Sequence, residues 1–285
     1  PPRAAIRRQR QMCIRDSDRP VDAPPEAIRD AVRRIAETDT LRGALVTTHK
    51  MAVWGHAGDL FAGFDRYAKL LGEVSGISRT ADGLVGHAKD PITAGRALDR
   101  VVPRDWWGEH PAAEALVLGA GGAGLALVAH LLERPADRRP RRIVLTDIDA
   151  GRLAHAERPL GALGGAAIVV YRQVSGAPET DALLAALPPA SLVANATGLG
   201  KDRPGAPLSD EARFPQRGVA WEFNYRGALD FLVLAKGQES ARSLTVADGW
   251  TYFLYGWAHV IAEVYDIALD DALLARMEKA AEEVR

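Results

Sequence analysis

The sequence has one cysteine in 285 residues, Cys13, so no intrachain disulfide can form and a reducing, cytoplasmic setting fits. It has no apolar run of the length a membrane-crossing helix needs, and no apolar secretion core near its start, so neither a membrane span nor an exported protein is expected. It also lacks an excess of either charge: 36 Lys and Arg face 37 Asp and Glu, for a formal charge of -1. That balance gives no reason to expect nucleic acid or an acidic membrane as partner. No His, Cys, Asp or Glu spacing resembles a metal site, so no metal is expected. Internal repeats and low-complexity segments are missing too.

What is present is ordinary globular composition, 47% hydrophobic and 26% charged, in a chain long enough for two α/β domains with separate cores. Charge is unevenly placed. Residues 1–20 carry six Arg and two Asp, a local +4, which leaves -5 on the remainder. The opening "PPRAAIRRQRQMCIRDS" shows no periodicity, and residues 1–19 read as a non-native leader outside the fold.

From Pro24 the pattern becomes regular. "PPEAIRDAVRRIAE" has Pro at a helix start and Ile28, Val32 and Ile35 at helical spacing. In "ALVTTHKMAV" the apolar part reads as an inner strand that ends on Lys50, and a helical run through Leu60, Phe64, Tyr67 and Leu71 follows. Asp82-Gly83 marks a hairpin turn in "VSGISRTADGLVGHAKD". "DPITAGRALDRVV" reads as a connecting helix, and the boundary is placed near Pro103, with Trp106 and Trp107 packing at the junction. Beyond it apolar strands alternate with helices, which implies a parallel, doubly wound sheet of Rossmann type. The expected architecture is an α/β substrate domain (20–102), a dinucleotide-binding Rossmann domain (103–249), and C-terminal helices (250–285) that pack back on the first.

"LGAGGAG" supplies Gly119-x-Gly121-x-x-Gly124 between an apolar strand and an apolar helix, with Ala120, Gly122 and Ala123 between the glycines. Glycines there allow a tight turn and close backbone approach to a pyrophosphate, which the helix N-terminus stabilises. Such turns also arise without a ligand, but here the strand, the helix and the βαβ setting are all present. The next strand ends at Asp147, where a carboxylate can accept from ribose hydroxyls and repel a 2'-phosphate. NAD is therefore favoured, with NADP possible through Arg152; the plainer alternative is a helix-capping aspartate, a role open to Asp149. Asn195, Thr197 and Gly198 end a later strand, on the side where a nicotinamide would lie, or serve only as a polar loop.

Taken in order, these segments resemble the shikimate/quinate dehydrogenase family over roughly residues 20–270. "VTTHK" stands where that family has a VTxPFK-like segment, and "GEVSGISR...GLVGHAKD" where it has GAVNTxxx...GxLxGxNTD. "GAGGAG", "NATGLG", "EFNYRG" and "ADGWTYFLYG" continue the likeness in the family's order. The resemblance implies an oxidoreductase that moves a hydride between a nicotinamide cofactor and a ring secondary alcohol, with Lys50 as catalytic lysine and Asp90 as its partner. Chemistry agrees, because alcohol oxidation needs a group to take the hydroxyl proton. A lysine in a partly dry site would have its pKa lowered by burial and held up by a carboxylate. Taken alone, Lys50 could be a strand-end gatekeeper and Asp90 a helix cap before Pro91.

Thr48, Ser75, Tyr225 and Tyr252 are the candidates for the substrate side. Lys89 is a further charge for an acid substrate, and His49 and His87 are possible lining residues. The family's serine pair has no counterpart. Its Asn appears as Ser75, its NTD segment as Ala88-Lys89-Asp90, its late Gln as Gly256, and the proline after its Tyr as Gly227. Hydride chemistry with an altered substrate shell is the reading that follows, for a monomer or homodimer acting on a small molecule. The rival is a dinucleotide-binding sensor that has lost catalysis; a folate-type methylene dehydrogenase is a third possibility.

Overall fold

The computed structural model describes residues 23–201 and 203–283. The proposed leader, with Cys13, lies outside them. Contacts divide the chain into two compact units. One holds the described residues up to Asp90 together with those from Leu254 onward, and the other is Pro91–Phe253.

In the first unit, helix α1 (Pro25–Glu37) starts on a proline, whose missing N–H costs nothing at a helix start, and buries Ile28, Val32 and Ile35 on one face. Four strands follow, interspersed with helices: β1 (Gly43–Leu45), α2 (Lys50–Ala57), β2 (Phe61–Phe64), α3 (Arg66–Leu71), β3 (Gly76–Thr80) and β4 (Gly83–His87). The sheet order is β1-β3-β4-β2. β3 and β4 form the expected antiparallel hairpin, Thr80 opposite Gly83, with Gly83 at φ +126° in the turn. Ile28, Val32, Ile35, Ala44, Val53, Val74, Ile77 and Leu84 join in one core.

Two expectations fail here. The strand in "ALVTTHKMAV" stops at Leu45 and lies at the sheet's edge, and Lys50 opens a helix instead of ending a strand. Only Gly43 to Leu45 find ladder partners on β3. At His49 the first helical bond forms (Val53 N to His49 O, 2.8 Å), and the helix runs on to Ala57. The helical run from Leu60 to Leu71 is also broken. Phe61–Phe64 is a strand parallel to β4, and the helix begins only after Asp65, whose carboxylate accepts from Ala68 N at 2.8 Å. The i, i+4 spacing of Leu60 and Phe64 has no helix behind it; aromatic residues suit a half-covered strand equally well.

The second unit opens with α4 (Asp90–Val101, its first residue belonging to the first unit) and the short α5 (Trp106–Glu109). The alternating series follows: β5 (Ala115–Leu118), α6 (Gly122–Glu133), β6 (Ile143–Asp147), α7 (Ala150–Ala162), β7 (Val169–Gln173), α8 (Ala177–Ala185), β8 (Leu192–Asn195), β9 (Val219–Glu222), α9 (Asp230–Arg242) and β10 (Thr245–Ala247). The six strands are parallel in the order β10-β9-β8-β5-β6-β7. β5, β6, β8 and β9 are buried along their whole length, which explains their apolar runs; β6, β8 and β9 end on the polar residues Asp147, Asn195 and Glu222. The order reverses between β5 and β8, and ligands of open α/β sheets bind outside the strand ends at such a point. Trp106 and Trp107 pack inside this unit: Trp106 Nε1 donates to Ala190 O at 2.8 Å, and Trp107 lies under the Arg134 guanidinium. The chain ends in α10 (Trp250–Tyr265) and α11 (Asp271–Glu282); in the first unit, Tyr255 donates its hydroxyl proton to Glu278.

Candidate active site

Lys50 Nζ donates to Asp90 Oδ2, an ion pair whose side chains are 14% and 8% exposed. Backbone bonds bring the two together across forty positions of sequence. Val74 N donates to Lys50 O (3.0 Å), Ser75 N to His87 O (2.8 Å) and Lys89 N to Ser75 Oγ (2.8 Å). The exit of β4 is thereby fastened to the segment before β3, and Asp90 follows at once.

Burial drives Lys50 toward the free amine, but the attraction of Asp90, that of Glu73 and the hydrogen bond to Asp90 outweigh it, so its pKa is raised. The two opposing effects expected from the sequence are both present, and the partner's side wins. Two carboxyl groups act on Nζ where the sequence suggests one. Ammonium is therefore the resting form of Lys50.

The second carboxyl, Glu73, lies within the "GEVSGISR" segment but is not among the site candidates. It exposes no surface, neither of its oxygens has a hydrogen-bond partner, and burial together with repulsion from Asp90 pushes it up to about 8. One signal does mark it: residues 73–78 are all buried, and Glu73 is the one ionisable side chain among them.

The other candidates of this unit are held locally. Ser75 Oγ, besides accepting from Lys89 N, donates to His87 O at 3.4 Å, so it pins the loop that carries Asp90. Thr48 O accepts from Lys50 N at 3.1 Å. Lys89 Nζ lies 2.7 Å from Glu263 and 3.5 Å from Asp65, so its charge is compensated within the protein. His87 Nε2 pairs with Ser78 Oγ at 2.7 Å, while His49 Nε2 is buried without a partner.

In the second unit the glycine turn shows a division of labour. Gly119 has φ +101°, and a Cβ there would lie 2.9 Å from Ala196 O; one on Gly124 would lie 1.9 Å from Gly119 O. Both are required by the close packing of the turn against the β8 exit. A Cβ on Gly121 would meet nothing within 4 Å, so this glycine keeps open space before the N-terminus of α6. The leading N–H groups of that helix have no acceptor inside it. Open space, converging donors and the positive helix end fit a dinucleotide pyrophosphate.

Asp147 is spoken for: Oδ2 accepts from Ala120 N (2.8 Å) and Oδ1 from Asp149 N (2.9 Å), which ties the glycine turn to the tip of β6. Asp149 caps α7 by accepting from Gly151 N at 2.7 Å. Arg152 lies 3.8 Å from both carboxylates.

Asn195 and Thr197 spend their polar atoms internally. Asn195 Oδ1 accepts from Thr197 N (3.1 Å) and Thr197 Oγ1 (2.6 Å), while Asn195 Nδ2 donates to Glu222 Oε2 (2.7 Å). Asn224 closes the network, donating its N–H to Glu222 Oε1 (2.8 Å) and Nδ2 to the carbonyls of Thr197 and Leu199 (both 3.1 Å). Glu222, which opens the "EFNYRG" segment but is not among the site candidates, is pushed up to about 7 by burial, against the hydrogen bonds from Asn224 and Asn195. Beside it Tyr225 stacks on Phe253 with centroids 3.9 Å apart, and Tyr252 packs on Phe223 at 4.7 Å.

No protein-family model matches the chain. Among curated proteins it is 31% identical over 238 residues to a shikimate dehydrogenase (NADP+) of Methylobacterium radiotolerans, covering 82% of this chain and 76% of that one. A second shikimate dehydrogenase (NADP+), of Methylocella silvestris, is 32% identical over 241 residues, covering 84% and 76%. Among solved structures, the quinate dehydrogenase of Corynebacterium glutamicum in complex with NAD shares the fold at a TM-score of 0.66 and 19% identity, covering 91% of this chain and 82% of that one.

Proposed function

Because this chain belongs to the shikimate dehydrogenase family of oxidoreductases, we propose that it interconverts a secondary alcohol and a ketone on a hydroxylated ring: shikimate, quinate or a related cyclic hydroxy acid. The unit built on Lys50 and Asp90 takes the substrate, and Pro91–Phe253 takes the dinucleotide. The observation that carries this reading is the shielded Lys50–Asp90 ion pair.

A nicotinamide cofactor, when held at the glycine turn, would supply or remove a hydride. The protein handles the matching proton. In ketone reduction the Lys50 ammonium gives a proton from Nζ to the carbonyl oxygen as the hydride reaches carbon. In alcohol oxidation the neutral amine takes the hydroxyl proton while the C–H bond yields its hydride. Asp90 Oδ2 holds Nζ in place for both directions. The raised pKa of Lys50 favours the acid form, so near neutral pH the pair is set for reduction.

Asp147, Asp149 and Arg152 sum to one negative charge at the tip of β6, and Arg152 lies between the two carboxylates. This favours NAD over NADP, a departure from relatives named for NADP+. We place the enzyme in the cytoplasm; among the described residues no helix is long and apolar enough to cross a membrane. A sensor without catalysis finds no support among dehydrogenase relatives.

The test is an absorbance assay for reduced nicotinamide with shikimate, quinate and related ring alcohols, each with NAD+ and NADP+. Turnover with a ring alcohol, at higher kcat/KM for NAD+, is expected. Dinucleotide binding with no turnover of any of them would overturn the reading, and a preference for NADP+ would overturn the cofactor choice alone.

A further inference from the structure

Glu73 breaks a local rule. A fully buried carboxyl with no hydrogen-bond partner is costly to keep ionised, and an apolar or amide side chain would serve the core better. Such exceptions concentrate at functional sites. Glu73 also adjoins Val74, whose N–H bonds to the carbonyl of Lys50 itself.

We infer that Glu73 is a positioning residue that sets the charge of Lys50: as an acid it is a neutral neighbour of the Lys50–Asp90 pair, and as a carboxylate it holds the proton on Nζ. The inference rests on the proposed role of that pair. The groups acting on Glu73 are Lys50 from α2, Asp90 from α4 and Asp65 from the cap of α3. Asp65 is in turn flanked by His87, Lys89 and, through them, Glu263 of α10. Asp90 and Asp65 oppose ionisation of Glu73, whereas Lys50 favours it. The influence is reciprocal: an ionised Glu73 raises Lys50.

The titration order follows. Glu73, raised to about 8, loses its proton before Lys50, which is raised above its ordinary 10.5, so the base form of Lys50 arises mainly beside an ionised Glu73. Alcohol oxidation, which needs that base form, is thereby pushed to higher pH than Asp90 alone would set. Ketone reduction keeps its acid over a wider range. The device adds no proton-transfer step of its own.

The decisive variant is Glu73→Gln, which keeps the shape and removes the titration. In the full-length protein with 13C-labelled lysine Cε, the Lys50 signal being identified by its loss in Lys50→Arg, Glu73→Gln should lower the Lys50 midpoint by about one pH unit or more. The alkaline rise of kcat/KM for alcohol oxidation should move to lower pH by the same amount. An unchanged Lys50 midpoint overturns the inference whatever the assay gives. Absence of turnover with every ring alcohol would overturn the functional reading instead and leave the lysine titration to decide. Should Glu73→Gln fail to fold, Asp90→Asn with 13C-labelled glutamate Cδ decides the question in its place. The Glu73 midpoint should fall when Asp90 loses its charge, and a Glu73 midpoint in the ordinary range in the wild-type protein overturns the inference.

Discussion

Asn195 Nδ2 donates to Glu222 Oε2 over 2.7 Å, and neither residue exposes any surface. The bond joins the tips of β8 and β9, and Glu222 Oε1 takes a second buried donor, Asn224 N. Glu222→Ala leaves both donors without an acceptor, each at a cost of about 1–3 kcal/mol. Glu222→Gln must turn an amide nitrogen toward one of them, because Asn195 is fixed by Thr197 on its other side, and should cost about 1–3 kcal/mol near pH 5. Urea denaturation checks both, and a Gln variant as stable as the wild type at pH 5 would refute the network.

The same residue makes a pH prediction. Its folded value near 7 lies above the ordinary 4.5, so across that window the native state keeps a proton that the unfolded chain has lost. The contribution of Glu222 to stability therefore falls as pH rises from about 4.5 to 7, by at most about 1.4 kcal/mol per pH unit. The penalty of Glu222→Gln should shrink over the same interval. A penalty that grows with pH would contradict the assignment.

Gly121 and Gly124 should answer the same substitution in opposite ways. Gly121 has extended backbone (φ -78°, ψ -176°), and its Cβ would enter open space, so Gly121→Ala should fold normally and bind dinucleotide at least about tenfold more weakly. Gly124→Ala drives a methyl into Gly119 O and should cost about 1–3 kcal/mol of stability. Thermal melts and NADH fluorescence titration separate the two. Unchanged affinity in Gly121→Ala would remove the pyrophosphate from this turn.

The two glycines also mark how far the sequence is legible. "LGAGGAG" between two apolar runs announces the dinucleotide turn, and the alternation of apolar strand runs with helical ones announces a parallel sheet, because both signals are local. Lys50 and Asp90 are legible through motif order, but the element under Lys50 is not. Val46, Thr47 and Thr48 suit a strand, but pairing ends with the bond from Val46 N to Ser75 O (2.9 Å), and where it ends is a tertiary fact. Glu73 and Glu222 stay hidden for the same reason. Their importance lies in burial and in neighbours far along the chain, which composition does not display.

His130 supplies a check on the second unit alone. Burial and the charge of Arg134 push it down to about 4, and its Nε2 accepts from Arg134 Nε at 3.0 Å. Between about 6.5 and 4 the unfolded chain gains a proton that the native state refuses, so the contribution of His130 to stability falls with falling pH, by at most about 1.4 kcal/mol per unit and opposite in sign to that of Glu222. His130→Gln should flatten that slope. A Cβ on Gly95 would lie 2.2 Å from the imidazole ring, so Gly95→Ala should destabilise the same region. An unaltered acid slope in His130→Gln would refute the neutral, buried histidine.

The central claim is that Lys50, held by Asp90, moves the proton of the reaction. The most direct measurement is kcat of Lys50→Ala with the best ring-alcohol substrate, set beside the dissociation constant for NADH. Turnover should fall by about 10²-fold or more, while the dissociation constant stays within about threefold because the glycine turn lies in the other unit. Turnover within tenfold of the wild type would contradict the account.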